Sequence, residues 1–537
     1  MTPRVSWLDR TGETVRNLLT EMAADPHGQF ESSVYETGRL VTLVPSLPGH
    51  EDRVHHLLRA QRADGRWGGP GDYDLVSTLS ATEALLAERN RPTSSPTVAS
   101  AADRGVEALS RRLREITTLP DTVAVEIMVP ALVADINAHL VRFGRTPLPV
   151  PEGTRADLLD AIRDAVAQGH ALPEKLLHSL ELFGEPVRGA AFVEPVDGRI
   201  IGCSPAATAA WLGDDAVRVG EHPGVEYLLS VRRDDGGVPL AAPLSLFERA
   251  WILSTLIDTG IPLTAPQSVL DELTQSLHDA LGDDGAGGGL GLPPDVDDTA
   301  AALHALALLG SPRSPDPLWQ FDRGDHFFCY PEERTSSTSA NARVVRALGT
   351  LLSAPADTTS LTDPQRQRCT DSLDTVVRWL IDRQEPDGSW SDKWHASPYY
   401  ATVCCALALA RHGGAQARPA VARAVDWVLT TERDGGLWGR WFGTREETAY
   451  AVRLLLNTGD PDNDLVARAA ARGAAALAHR ASDETPHPPL WHDKDIYTPT
   501  RIVRTEIFAA LYAAYTDPRT APLLAEATAT TNTTAGA

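Results

Sequence analysis

Apolar residues recur three and four positions apart along most of this 537-residue chain, the spacing of amphipathic helices. An opening stretch from Trp7 to Ala24 has this spacing, and a looser segment runs on to about Gly49. Between there and about residue 180, HHLLRAQRADGRW, STLSATEALLAE, AVEIMVPALVADINAHL and EKLLHSLELF all read as helical. Proline- and glycine-rich pieces, RTPLPVPEG and NRPTSSPTVAS, separate them. A second series begins near Leu244 with LSLFERAWILSTLIDTG. It continues with a helix from Thr299 that Gly310 ends. Further helices are predicted near 339–352, 370–383, 399–411, 419–430, 446–456, 465–478 and 502–514. Strand alternation is never sustained; FVEPVDGRIIG, residues 192–202, could form a short hairpin. The pattern predicts an all-α protein of helical hairpins in two domains, the C-terminal one larger. The closing EATATTNTTAGA reads as a frayed tail.

One motif recurs in the connections. Residues 61–68 read QRADGRWG, residues 384–390 QEPDGSW and residues 432–439 ERDGGLWG. Glycine permits a tight turn, the amide or carboxylate can tie down backbone groups, and the indole can cover the joint. These residues brace helices rather than catalyse.

Composition narrows the function. With 72 acidic against 49 basic residues the net charge is −23, which argues against a nucleic-acid partner. Five cysteines do not make a disulfide scaffold, and Cys404 and Cys405 sit in an apolar run. No uninterrupted apolar stretch reaches membrane-spanning length, and MTPRVSWLDRTGE lacks a signal-like apolar region. A cytoplasmic protein without stable membrane insertion is expected.

Candidate chemistry concentrates at PPDVDDTA, where Asp295, Asp297 and Asp298 fall within four residues before an apolar helix. Capping of that helix accounts for one of them comfortably. An EF-hand is excluded because the ligand register and terminal Glu are missing. The glycine-rich run at 285–291 lacks the Lys-Ser/Thr of a phosphate loop. The alternative to capping is a proton source, since clustered carboxyls in an apolar pocket cannot all ionise. Holding an Asp about three units above its ordinary ~3.9 costs about 4 kcal/mol. An acid of that kind suits protonation of an alkene.

Asp295-Val-Asp-Asp-Thr-Ala resembles the D-x-D-D signature of class II terpene cyclases. Further similar stretches cover most of the chain: LLHSLELF at 176–183, SPAATAAWL at 204–212 and GGVPLAAPLSLFERAW at 236–251. HFFCYPEERTSSTSANARVVRAL at 326–348, DGSWSDKWHASPYYAT at 387–402, WGRWFGTREETAYAV at 438–452 and WHDKDIYTPTRIVR at 491–504 continue the likeness. The set is similar to class II diterpene cyclases, especially compact actinobacterial forms. The resemblance implies two α/α-barrel-like domains with the active site between them. Residues 1–30 would be the N-terminal helix of a β domain, 31–235 an inserted γ domain, 236–524 the rest of β, and 525–537 a disordered tail. Neither metal motif of a diphosphate-ionising class I site is visible.

The resemblance further implies that Asp297 donates the proton, that Asp295 and Asp298 tune it, and that Asn341 hydrogen-bonds it. Taken alone, Asn341 in an Ala-rich helix reads equally as a surface or cap residue. The cation needs π-faces, for which Trp394, Tyr399, Tyr400, Trp441, Trp491 and Tyr497 are candidates. The resemblance implies His178 as terminating base. The family's Asn partner is replaced by Asp235, to which a water could bridge His178. Lys393, Lys494, Arg501, Arg504 and Lys175 are candidates for the substrate diphosphate, with Mg²⁺ as counter-ion. Glu115, Asp121 and Glu126 are the candidates for holding that metal.

The expected reaction is cyclisation of geranylgeranyl diphosphate to a bicyclic labdane-type diphosphate. The favoured product is ent-copalyl diphosphate, to be consumed by a downstream class I diterpene synthase. A drimane-forming cyclase on farnesyl diphosphate, a squalene- or hopene-type cyclase, an α/α-barrel glycosidase and a helical binding module are the alternatives.

Overall fold

The computed structural model describes residues 8–331, 333–355, 359, 361–480 and 485–524. The expected tail, 525–537, lies outside the described residues. Helices dominate, and most pack on those next to them or next but one along the chain. Extended structure among the described residues is confined to two-residue pairs and isolated bridges. The sequence from 192 to 202 forms one such bridge, Val196 to Ile200, around a turn in which Asp197 and Gly198 both have positive φ. No described helix is long and apolar enough to cross a membrane.

The apolar core divides in two main parts. One joins Val15, Leu19 and Met22 of the helix Thr11–Ala24 to buried residues from Leu240 to Ala509. The other gathers Tyr35 through Ala207. The chain passes between them twice at one place, where Ser32–Ser33 pairs antiparallel with Val238–Pro239.

Helix boundaries follow local chemistry. The helix Asp363–Asp382 starts well before the expected position 370, because Thr362 and Gln365 form a reciprocal capping box. The helix Gly414–Thr430 carries Pro419 inside it instead of starting there. EKLLHSLELF is not one helix: a single turn, Glu174–Leu177, is followed by the 3₁₀ segment Leu180–Phe183. Pro96–Glu115 is a full helix capped by Ser95, so NRPTSSPTVAS is connection only in its first half.

The three Trp-bearing connections are wired alike. Trp67, Trp390 and Trp438 are fully buried. Their indole N–H groups donate to the carbonyls of Leu57, Leu380 and Val428 at 2.6, 2.8 and 2.8 Å. Their backbone N–H groups donate to Thr78, Thr402 and Thr448, each at 3.0 Å. Gln61 and Gln384 hold the turn carbonyls of Gly65 and Gly388, whereas Glu432 pairs with Arg472. Gly65, Gly388 and Gly436 have φ of 86°, 99° and 75°, and a Cβ on each would press on a carbonyl of a neighbouring helix. Each connection thus clamps the end of one helix to the start of the next.

Trp438→Ala empties a fully buried site and removes the indole hydrogen bond to Val428, leaving only the backbone bond to Thr448. It is expected to cost about 3–5 kcal/mol of stability. Trp438→Phe, which loses chiefly the indole hydrogen bond, should cost about 1–2 kcal/mol. Urea unfolding followed by circular dichroism measures both.

Candidate active site

The three aspartates open the helix Val296–Leu308, and each has a different task. Asp295 is the cap: its side chain accepts the Asp298 N–H at 2.9 Å and the Tyr330 hydroxyl at 3.1 Å. Asp298 is buried, and its Oδ1 has no hydrogen-bond partner. Burial, with Asp295 and Asp297 beside it, holds its carboxyl well above the usual range and therefore protonated. Asp297 is also pushed up, to about 7, by burial and against the pull of Arg343. The glycine-rich run packs against this turn, and a Cβ on Gly288 would lie 2.8 Å from Asp298 Oδ2. That close approach explains glycine at this position.

Asp297 faces an arginine. Arg343 Nε, on the helix Thr338–Ser353, lies 2.9 Å from Asp297 Oδ1. The atoms are close but not aligned as a hydrogen bond, so the contact is one of charge. The guanidinium lies 3.6 Å above the Trp251 ring and donates to the Tyr400 hydroxyl at 2.6 Å. Around it stands an aromatic group: Tyr400 and Trp491 at 4.6 Å, Phe247 and Trp251 at 4.4 Å, and Phe247 and Trp491 at 5.6 Å. Tyr497 adjoins through Phe30 at 6.0 Å, and Asp493, Asp298 and Asp297 all help to raise its phenol. Glu446, fully buried, fixes Trp491 by accepting its indole N–H at 2.8 Å.

A protonatable aspartate amid buried aromatic rings is a site for starting and sheltering a carbocation. Known proteins resemble the chain over most of its length. A model of the squalene-hopene cyclase C-terminal domain matches residues 356–516. The ent-copalyl diphosphate synthase of Streptomyces sp. (strain KO-3988) is 43% identical over 506 residues, covering 93% of this chain and 95% of that one. The chain belongs to the class II diterpene cyclases. The labda-7,13-dienyl diphosphate synthase of Streptomyces clavuligerus is 40% identical, with 92% of this chain and 91% of that one covered. The solved ent-copalyl diphosphate synthase from Streptomyces platensis has a TM-score of 0.86 at 44% identity, covering 94% and 99% of the two chains.

Within this cyclase several expected contacts are replaced by others. Asn341 does not reach Asp297. Its amide accepts from Phe327 N–H at 2.9 Å and donates to the carbonyls of Phe327 and Ser337 at 2.9 and 2.8 Å, which uses both of its donors. His178 does not turn to Asp235. Its Nε2 meets Asp493 at 3.0 Å and its Nδ1 meets the Gly202 carbonyl at 2.5 Å. Asp235 is instead held by Ser32, the Gly237 N–H and His56. Burial opposes charge on His178, but Asp493 more than offsets it and raises the imidazole, while Asp493 itself is lowered.

The basic candidates separate by burial. Lys494 is fully buried and ion-paired to Glu36 and Glu181; it also donates to Ser204 Oγ and the His178 carbonyl. Arg501 is spent on Glu248 and Asp25. Neither charge is free for a diphosphate. Lys393 pairs with Glu333 at 2.5 Å beside the Trp394 ring. Lys175 is exposed and donates to the Pro331 carbonyl at 3.0 Å, and Arg504 is exposed. Tyr399 packs on Trp427 and Trp441 on Tyr73 and Arg440, not on the rings around Arg343.

Glu115, Asp121 and Glu126 do not fit a preformed magnesium site. Arg334 already neutralises Asp121 and Glu126, and Glu115 is exposed. The described residues offer no group of three potential metal-ligating side chains.

Arg343, Trp251, Glu446 and Asp493 were not anticipated from sequence. Arg343 stands two residues after Asn341 and Asp493 one before Lys494, so each sat inside a stretch already singled out.

Lys494→Met would leave Glu36 and Glu181 buried without their counter-charge, and should cost about 3–5 kcal/mol. Lys175→Ala, at the surface, should change stability by less than about 0.5 kcal/mol. Chemical denaturation of the two variants side by side tests this division between structural and free cations.

Proposed function

We propose that this cyclase protonates the terminal double bond of geranylgeranyl diphosphate, closes two rings and releases ent-copalyl diphosphate with its diphosphate intact. The observation that carries this reading is Asp297, pushed up to about 7 by its largely enclosed position, its side chain about 14% exposed and set against Arg343 and the aromatic rings that hold that guanidinium. The two related synthases support the product class, since both are named for a diphosphate-bearing product. On this reading, residues 1–30 with 236–524, and residues 31–235, act as two domains enclosing the substrate.

The Asp297 O–H bond breaks as the alkene π pair forms a new C–H bond, leaving a tertiary cation. The substrate is held folded, so the next double bonds attack in turn, with proximity supplying much of the rate. Tyr400 and Trp491 offer π-faces to the migrating charge. Loss of a proton to the His178–Asp493 pair ends the sequence. Lys175 and Arg504, the exposed candidates, meet the diphosphate. Because the allylic diphosphate survives, a class I diterpene synthase can ionise it next.

Incubation with geranylgeranyl and farnesyl diphosphate separately, followed by dephosphorylation and chiral product analysis, tests the substrate. A bicyclic labdane alcohol of the ent series from the twenty-carbon substrate is expected. A drimane from the fifteen-carbon substrate alone would replace this reading. Asp297→Asn should keep its circular dichroism spectrum yet lose at least about 100-fold in turnover; near-normal turnover would refute the assignment of the acid.

His178→Phe and Asp493→Asn should preserve consumption of substrate better than they preserve its product. Isomeric alkenes or water-quenched alcohols are expected by gas chromatography–mass spectrometry. An unchanged single product from both variants would remove this pair from the final step.

A further inference from the structure

An ion pair to the proton donor is at first sight contrary to its task. A guanidinium beside a carboxyl favours the ionised form, and an ionised Asp297 has no proton to give. Yet Arg343 does not depend on that carboxylate. Its charge lies over the Trp251 face at 3.6 Å, and its Nη2 donates to Tyr400 at 2.6 Å. Both partners are neutral, and both remain when Asp297 carries its proton.

We propose that Arg343 sets the strength of the acid: it stabilises the carboxylate left on Asp297 after proton transfer, while Trp251 and Tyr400 hold the guanidinium beforehand. This rests on the reading of Asp297 as the donor. Protonation of an alkene is limited by how poorly the medium accepts the charges it creates. The substrate's new cation has aromatic faces. The carboxylate left behind sits on a helix that also carries Asp295 and Asp298, with Asp392 facing it from the loop before the helix Pro398–His412. Lys393 from that loop bears on it more weakly than Arg343, which touches it. Tyr497 also faces the cluster, with its phenol raised and neutral. A fixed positive group in a water-poor site is already oriented when the negative charge appears, so no reorganisation is needed. Arg343 is thus a positioning and acid-strengthening residue, and Trp251 and Tyr400 are its supports.

The sign of its effect on pH dependence is distinctive. Arg343 favours the carboxylate, so removing it lets Asp297 stay protonated to higher pH while making it a weaker acid. For Arg343→Gln, kcat on geranylgeranyl diphosphate should fall about 100-fold with KM little changed. The alkaline limb of its kcat–pH profile should move up by a unit or more. Arg343→Lys, which keeps the charge, should recover part of kcat and leave the limb near its original position. Tyr400→Phe takes away one neutral partner of the guanidinium, which then leans more on Asp297, and the limb should move down. Loss of rate with an unmoved alkaline limb in Arg343→Gln and Tyr400→Phe would reduce Arg343 to a packing residue and overturn the proposal, as would an undiminished rate in Arg343→Gln. Should Arg343→Gln fail to fold, the opposite shift expected of Tyr400→Phe and the retained limb of Arg343→Lys still decide the matter. Activity retained by Asp297→Asn would mean that the donor itself is misassigned, an outcome separate from any result at position 343.

Discussion

Ionising a carboxyl group away from water is expensive, and the architecture of this molecule follows from maintaining that expense at one helix terminus. The N-terminal turn of Val296–Leu308 would ordinarily favour anions, by about 0.3–1 kcal/mol for each well-placed charge. Burying three aspartates there reverses the preference. Asp295 is anchored by its capping bond and by Tyr330, and Asp298 is driven neutral. Asp297, between them, is left poised. A closed environment is therefore part of the reagent, because water at this turn would return all three to ordinary carboxylates.

That environment needs rigid walls. The three tryptophan clamps join consecutive helices by the same pair of hydrogen bonds each time, so helix ends are tied without enlarging the core. Between the two cores, Lys494 reaches from the C-terminal region to Glu36 and Glu181 and is fully enclosed. Such a cluster contributes little net stability compared with an apolar replacement, but it tolerates few relative positions of the pieces it joins. Arg501, tied to Glu248 and Asp25, does the same for the helices Thr11–Ala24 and Thr500–Thr516.

Sequence periodicity located many of the helices because they bury one stripe, as in Gly414–Thr430 and Asp464–His479. It failed where a helix starts in polar residues. The first turns of Asp363–Asp382 show only a capping box, which was legible in Thr362 and Gln365 but carried no apolar signal. The aspartate cluster was visible because three acids before an apolar helix are costly to explain otherwise. Its partner was not. Asn341 and Arg343 are two residues apart, hence on different faces of one helix, and only packing decides which face meets Asp297. A buried cation also looks like a solvated one in sequence, since the carboxylates around Lys494 come from residues more than 300 positions away.

The short ladder between Ser32–Ser33 and Val238–Pro239 brings the start and finish of a long excursion of the chain side by side. Everything between them is, in topological terms, a single loop inserted into the body that carries the aspartates. Lengthening or reshaping that loop shifts no register in the helices holding Asp297 and Arg343. The stretch that carries His178 and Glu181 can therefore be lengthened or shortened without altering the spacing along the chain that brings Asp297 and Arg343 together.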